Sequence, residues 1–240
     1  MAGFARVRLG RICDVHSGLS PRVARVTEDV FRRLSARRGS RIFHPAGIAY
    51  LGDVEVGAGI PGTRALQQAT RTACTVRFSL GLGLPARLGD FLGLAIRLKA
   101  DQDVLLATSA SAPPLRFLPL PAQSFFGRTY TSLLPFTAAG RRLLVAARVE
   151  GDTTGEGDAW TELADAAGRR PLVITLWSAT PLGPWRPIAR IETRSRLSDE
   201  QTQALRFDAW RCEGGLVPWG WVNRLRDPAY RGSQRGRRER

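Results

Sequence analysis

Apolar residues follow two spacings along this chain, and the change between them falls near residue 40. Between Ser20 and Gly39 they recur at intervals of three and four, as on one face of a helix: Val23, Val26, Val30 and Leu34. Ser20 is suited to the N-cap position and Pro21 to the first helical turn, while Gly39 is suited to the end. The pattern predicts a helix here, within an N-terminal helical arm over residues 1–40.

Beyond residue 40 the chain changes to short runs of β-type residues separated by glycine and proline. Seven runs stand out: "YLGDVEV", "CTVRFSL", "FLGLAIRL", "DVLLATSA", "RLLVAARV", "LVITLWSA" and "RPIARIETR". Consecutive short strands of this kind are typical of antiparallel meanders that form barrels or sandwiches. We predict one α+β domain in which residues 41–197 form an antiparallel β-barrel with flanking helices.

The last part of the chain has helical signals of its own. Ser198 and Gln201 stand at capping-box spacing, which predicts a helix within "SDEQTQALRFDAW". A second helix-like segment, "WVNRLRDPAYRGSQ", is interrupted by Pro228 and precedes the polar tail "RGRRER". Residues 198–240 are therefore assigned to a C-terminal helical segment with a basic tail.

Composition narrows the classes of partner. The formal net charge of +15 would ordinarily point to nucleic acid or an anionic membrane. However, Lys99 is the only lysine, so the arginine content is typical of a GC-rich, actinobacterial-type genome rather than of a phosphate-binding design. The chain carries none of the usual basic and aromatic modules, so we expect no nucleic-acid partner.

Cysteine usage and hydropathy bear on the compartment. The three cysteines, Cys13, Cys74 and Cys212, are widely spaced without a C-x-x-C motif, which favours neither a disulfide framework nor a structural zinc site. The most apolar region is interrupted by Pro85, Arg87 and Asp90 before it reaches spanning length. We expect a cytoplasmic protein without a membrane span; peripheral membrane association and homo-oligomers stay open.

Two segments then carry a resemblance to a known family. "RIFHPAGIAYLGDVEV" and "TVRFSLGLGLPARLGDFLGLAIRL" resemble the distal segments of the haem-dependent catalase family, most closely its short bacterial catalase-related members. The resemblance implies that His44 is the distal histidine and that Ser79 hydrogen-bonds it. It also implies that Arg41 and Arg77 meet haem propionates, with Phe43 beside the haem.

Two later segments extend the resemblance. "TYTSLLPFTAAGRRLLVAARV" is similar to a Y-x-S-x-x-P-aromatic run of the short members, whose role would be packing in the substrate pocket. "NRLRDPAYRGSQRGR" resembles the C-terminal block, in which the tyrosine of an R-x-x-x-Y motif is the proximal ligand of the iron. This assigns Tyr230 to the metal, Arg226 to its phenolate, and Arg237 to a propionate of haem b.

The chemistry of these residue types is coherent. A tyrosine has a pKa of about 10, so as a ligand at neutral pH it needs the metal and a positive neighbour to stabilise its anion. Guanidinium groups neutralise carboxylates in a bidentate manner, which suits buried propionates. A histidine with a pKa near 6.5 can take a proton from a peroxide and return it to the leaving oxygen.

The chain also departs from the family. Pro45 and Ala46 stand where catalases have Ala-Lys after the distal histidine, and Thr108 or Ser109 stands where they have an asparagine. Thr108 is accordingly the third catalytic candidate, after His44 and Ser79. These changes and the shorter termini favour organic or lipid hydroperoxides over rapid dismutation of hydrogen peroxide.

The function expected from the sequence is a haem-binding, catalase-like peroxidase, with a peroxide or fatty hydroperoxide as substrate. Two alternatives stay open. One is an enzyme that rearranges hydroperoxides, similar to allene oxide synthases, which would need the same tyrosine and histidine. The other is a catalase-fold module without haem that binds lipid or protein.

Overall fold

The computed structural model describes residues 47–81, 89–151 and 158–219. Within them eight antiparallel strands form a barrel: β1 (Gly47–Val56), β2 (Thr70–Leu80), β3 (Leu92–Leu98), β4 (Gln102–Thr108), β5 (Thr129–Thr131), β7 (Arg141–Val149), β8 (Val173–Ala179) and β9 (Arg186–Arg196). The barrel is closed because β8 pairs with β7 and β9 pairs with β1. The predicted meander barrel is confirmed.

Five further elements accompany the barrel in the described residues. The strands β6 (Phe136–Ala138) and β10 (Val217–Pro218) extend the sheet beyond β7, and Leu115–Phe117 forms a 3₁₀ turn. The helices are α1 (Ala159–Arg169) and α2 (Asp199–Ala204). In α2, Ser198 and Gln201 make both hydrogen bonds of the predicted capping box.

Side chains alternate between the two sides of the barrel wall. On β2, Val76 and Phe78 point into the apolar interior, whereas Arg77 and Ser79 point outward. Inside, Phe78 makes edge contacts with Tyr50 and Phe125. The interior is filled by large side chains, so it is a packed core rather than a ligand cavity.

Helix α1 is absent from the sequence-based prediction, which gave only β-type runs for this region. Its N-cap is Asp158, whose carboxylate accepts hydrogen bonds from the backbone N–H groups of Trp160 and Thr161. These bonds lower the pKa of Asp158. Leu163 is buried and Trp160 stacks on Phe125, so the helix packs its apolar face against the core. Asp158 followed by apolar residues at helical spacing was the available signal.

The β3–β4 hairpin holds the segment after α2 against the barrel. Asp103, which is fully buried, receives two hydrogen bonds of 2.8 Å from Arg97 and one of 2.9 Å from the backbone of Asp208. The amide of Gln102 bonds the backbone of Leu216 through both its oxygen and its nitrogen. Gly214 lies so near that a Cβ there would be 2.6 Å from that of Gln102. This hairpin anchor fixes where the chain leaves the barrel.

Several predicted features lie outside the described residues. They are the N-terminal helix, the arm over residues 1–40, and the part of the C-terminal segment beyond Trp219. For the residues that are described, no helix is both long and apolar enough to cross a membrane.

The hairpin anchor gives a stability prediction. Asp103→Ala leaves the Arg97 guanidinium without its buried carboxylate, so we expect the free energy of unfolding to fall by about 3 kcal/mol. Asp101→Ala is the matched control, because Asp101 pairs with Arg211 on the exposed side of the same hairpin and should cost less than about 1 kcal/mol. Urea denaturation measures both; equal losses would contradict the role assigned to Asp103.

Candidate functional site

The outward side of the barrel wall carries a row of small residues in direct register. The row crosses six neighbouring strands and comprises Gly47, Ser79, Gly93, Ala107, Thr131 and Ala146. At about 4.8 Å between strands it is on the order of 20 Å wide. Glycine and small side chains within strands let a ligand or another backbone approach the sheet closely. We call these six positions the small-residue row.

Arg77 lies beside this row, two residues before Ser79 on β2. Its cross-strand partners are Ala49 and Ala95. Its side chain is only 5% exposed although it points outward. Gly47 makes room for it, since a Cβ on Gly47 would lie 2.5 Å from Nη2 and 2.6 Å from Cζ of Arg77. The wall therefore holds the guanidinium of Arg77 against β1 in a nearly buried position.

Ser79 belongs to the row itself and is also buried. It is two residues from Arg77 on β2, so both side chains point to the same side. Its hydroxyl donates to the carbonyl of Gly93 at 3.4 Å, a long bond that ties it to β3. The structure thus brings together Arg77 and Ser79, two of the residues predicted for the site.

Thr108 lies on the other side of the wall. It pairs with Tyr130, whose ring fills the barrel interior. The Thr108 hydroxyl accepts from the backbone N–H of Leu92 at 3.1 Å and donates to the carbonyl of Leu120 at 2.6 Å. These bonds tie the end of β4 to Leu92 on β3 and to Leu120 in the following loop, so the geometry favours a structural role. The catalytic role given to Thr108 stays a prediction.

Ser109, the neighbour of Thr108, faces outward and is buried. Its hydroxyl donates to Oγ1 of Thr131 at 2.8 Å, and Thr131 in turn donates to the carbonyl of Arg116 at 2.8 Å. Of the two residues proposed to stand in the place of the family's asparagine, Ser109 is thus the one on the same side as Ser79.

Tyr130 differs from the role that the sequence suggested for its segment. It is fully buried in the barrel interior and its hydroxyl donates to the carbonyl of Phe125 at 2.9 Å. Burial raises the pKa of Tyr130 well above its usual value, so it stays a neutral phenol. Ser132 and Phe136 of the same run instead line a cavity of about 20 Å³, together with Leu105 and Leu134. That cavity has room for about one water molecule.

Six predicted site residues lie outside the described part of the chain: Arg41, Phe43, His44, Arg226, Tyr230 and Arg237. Their roles stay predictions. Among the residues that are described, no group of three or more histidine, cysteine, aspartate or glutamate side chains is placed to hold a metal ion.

The sequence missed two contributors to this site. Gly47 matters because it accommodates Arg77, and a glycine at the start of a strand gives no such signal by itself. The small-residue row depends on cross-strand register, which places Gly47 opposite Ser79 and Ser79 opposite Gly93. Register follows from three-dimensional pairing, so spacing along the chain does not identify the row.

Comparison with solved structures identifies the fold. Catalase A from Saccharomyces cerevisiae matches 83% of this chain with a TM-score of 0.60 and 13% identity. A fungal catalase matches 82% with a TM-score of 0.55 and 14% identity, and a bacterial catalase 82% with 0.54 and 13%. These likenesses establish a catalase-like fold, which the resemblance of the sequence segments implied.

The matches cover only part of each catalase. This chain spans 57–61% of the length of those three catalases. No protein-family model and no curated protein matches its sequence.

The contact between Gly47 and Arg77 is testable by a double-mutant cycle. Gly47→Ala places a Cβ against the buried guanidinium, so we expect the free energy of unfolding to fall by about 1–2 kcal/mol. Gly57→Ala is the control at the exposed residue directly after β1, where a Cβ would meet nothing closer than 3.8 Å. In an Arg77→Ala background the cost of Gly47→Ala should largely disappear. An unchanged cost, measured by urea denaturation, would show that Arg77 is not the group displaced.

Proposed function

We propose that this protein binds haem b on the outward side of its barrel and acts as a peroxidase on organic or lipid hydroperoxides. The observation that carries the proposal is a buried guanidinium, Arg77, beside a row of small residues on a catalase-like barrel. Haem is a flat macrocycle with two carboxylates, so it requires a smooth wall and cationic partners.

The described residues fit haem on both counts. Arg77 offers a planar set of donors suited to a propionate, and Gly47 leaves the space in which that guanidinium lies. The small-residue row has only backbone and short side chains across six strands, the composition that lets a planar group lie closely against a sheet, and Ser79, Thr131 and Ala146 within it are buried. Arg41 and Arg237 are the remaining propionate partners that the family resemblance implies.

The proposed iron ligand belongs to the C-terminal segment. Trp219, the last described residue, donates its backbone N–H to the carbonyl of Pro135 at 2.9 Å, and the Arg142 guanidinium lies 3.8 Å from its ring centroid. Eleven positions further along the sequence, Tyr230 is the proximal ligand that the family resemblance implies, with Arg226 donating to its phenolate oxygen.

Bound haem would supply a ferric iron at which the oxygen–oxygen bond of a hydroperoxide is cleaved. The protein's part is to position the reacting groups and to move one proton. His44 takes the proton from the hydroperoxide oxygen and delivers it to the leaving oxygen, which departs as an alcohol. Ser79, fixed to β3 through Gly93, orients the imidazole.

One feature supports organic hydroperoxides as substrates. Ser109 stands where the family resemblance places a longer amide side chain, and its hydroxyl already donates to Thr131. A shorter side chain at this position suits the approach of a bulky substrate.

Haem binding is tested first through Arg77. After expression with haem supplementation, we expect a Soret band in the wild type and a haem dissociation rate about 10–100-fold higher in Arg77→Leu, because a charge-assisted pair is lost. Arg71→Leu, an exposed arginine on the same strand, should leave the rate unchanged. Transfer of haem to apomyoglobin measures the rate. A wild type that folds but stays colourless would overturn the proposal and leave a binding module of the catalase fold.

The roles of Tyr230 and His44 are separable by spectrum and turnover. Tyr230→Phe should shift or abolish the Soret band, because the phenolate ligand is gone. His44→Ala should keep the band while hydroperoxide turnover falls about 10²–10⁴-fold, the usual contribution of a general acid–base group. Equal turnover in the His44→Ala variant would contradict its assigned role.

Analysis of the wild-type product separates the two reactions. If the product is an isomer of the hydroperoxide rather than an alcohol, the reaction is a rearrangement.

A further inference from the structure

Exposed leucines are concentrated on two loops outside the barrel. Among the residues that the structure describes, six large apolar side chains stand exposed, and four of them lie on these loops: Leu115, Leu118, Leu120 and Leu182. Their exposed fractions are 52, 53, 45 and 71% respectively. The first loop covers residues 110–121 and the second residues 180–185; we call them the leucine loops. Such a concentration of exposed apolar side chains commonly marks an interaction surface.

The two leucine loops are locked together by Arg116 and Trp185. Nη1 of Arg116 donates to the carbonyl of Gly183 at 2.9 Å and to that of Thr180 at 3.3 Å. The Trp185 ring lies 4.5 Å from the Arg116 guanidinium, and its indole N–H donates to the carbonyl of Ser111 at 2.8 Å. Leu182 is therefore held next to the 3₁₀ turn that carries Leu115.

Proline stiffens both loops. The first contains four prolines and the second contains two: Pro113, Pro114, Pro119, Pro121, Pro181 and Pro184. Each proline fixes its own φ angle and restricts the preceding residue. The leucines are thus presented on a preformed support, which reduces the conformational entropy lost when they are buried by a partner.

Arginine dominates the charge of the sequence around the leucine loops. Residues 104–149 and 166–191, which contain both loops, include nine arginines and no aspartate or glutamate, and Glu150 and Glu192 just beyond these stretches pair with Arg190. Arg128 and Arg186 are exposed, the latter directly after Trp185, and Arg148 is exposed on the outward side of β7. A partner that accepts apolar side chains and offers negative charge to these exposed arginines suits this surface.

We propose that the leucine loops dock this protein on an anionic phospholipid bilayer. Leucines insert into the boundary between headgroups and acyl chains, while arginines meet the phosphate groups around them, and Trp185 has the amphipathic character favoured at that depth. An acidic protein would match the charge but not a set of leucines projecting from two loop surfaces without a groove. The docking does not depend on haem and stands or falls separately from the proposed function.

Vesicle co-sedimentation tests the proposal with the full-length protein. We expect binding to vesicles of phosphatidylcholine with phosphatidylglycerol, and binding at least tenfold weaker to phosphatidylcholine alone. The variant Leu115→Ser/Leu118→Ser/Leu182→Ser should lose at least tenfold in partition coefficient. Leu51→Ser, which alters an exposed leucine on β1 outside the loops, should bind like the wild type.

Each other outcome overturns the docking proposal. Equal binding of the triple variant would show that charge alone attracts the protein to the vesicles. A wild type that binds no vesicle, or one whose triple variant only changes from oligomer to monomer in analytical ultracentrifugation, would assign the loops to protein contacts. Circular dichroism verifies folding, and if the triple variant unfolds, Leu182→Ser at the exposed loop replaces it, with a loss of at least threefold expected.

Discussion

A guanidinium held against the outside of a β-barrel is the constraint on which this structure depends. Arg77 stays charged at any physiological pH, and it is nearly as buried as the core. Its neighbours on the adjacent strands are alanines, and the residue over which it lies must be a glycine. On the outward side of the wall, Arg77 therefore determines which residues can surround it. On the inward side, close packing of large side chains does so.

The two sides of the barrel wall differ in what they hold. Large side chains such as Phe78 and Tyr130 fill the interior, whereas the outward side carries Arg77 and the small-residue row. The hairpin anchor at Asp103 then ties the segment after α2 to the same outward side. In this arrangement the barrel supplies a rigid wall, and the described residues after α2 are tied to its outward side.

The sequence was sufficient for the barrel, because its strands are bounded by glycine and proline and alternate with a period of two. The capping box at Ser198 was equally readable, since it depends on contacts three residues apart. Arg77 and Ser79 were found through a resemblance, and alternation alone places them on one side. Helix α1 was not predicted, because strand-type runs precede and follow it in the sequence.

The small-residue row and the choice between Thr108 and Ser109 could not be reached from the sequence. Both depend on which residues face one another across strands, and a shift of one position would exchange the two sides of the wall. The observed pairing of Thr108 with Tyr130 settles that Thr108 faces inward. The Gly47 contact is of the same kind, because it joins residues thirty positions apart.

A crystal structure of the protein produced with haem tests the central claim most directly. The account predicts a porphyrin on the outward side of the wall, close to Gly47, Ser79 and Gly93 of the small-residue row, with a carboxylate on the Arg77 guanidinium. A porphyrin bound elsewhere, or a row covered by large side chains of the protein while haem is present in excess, would contradict it.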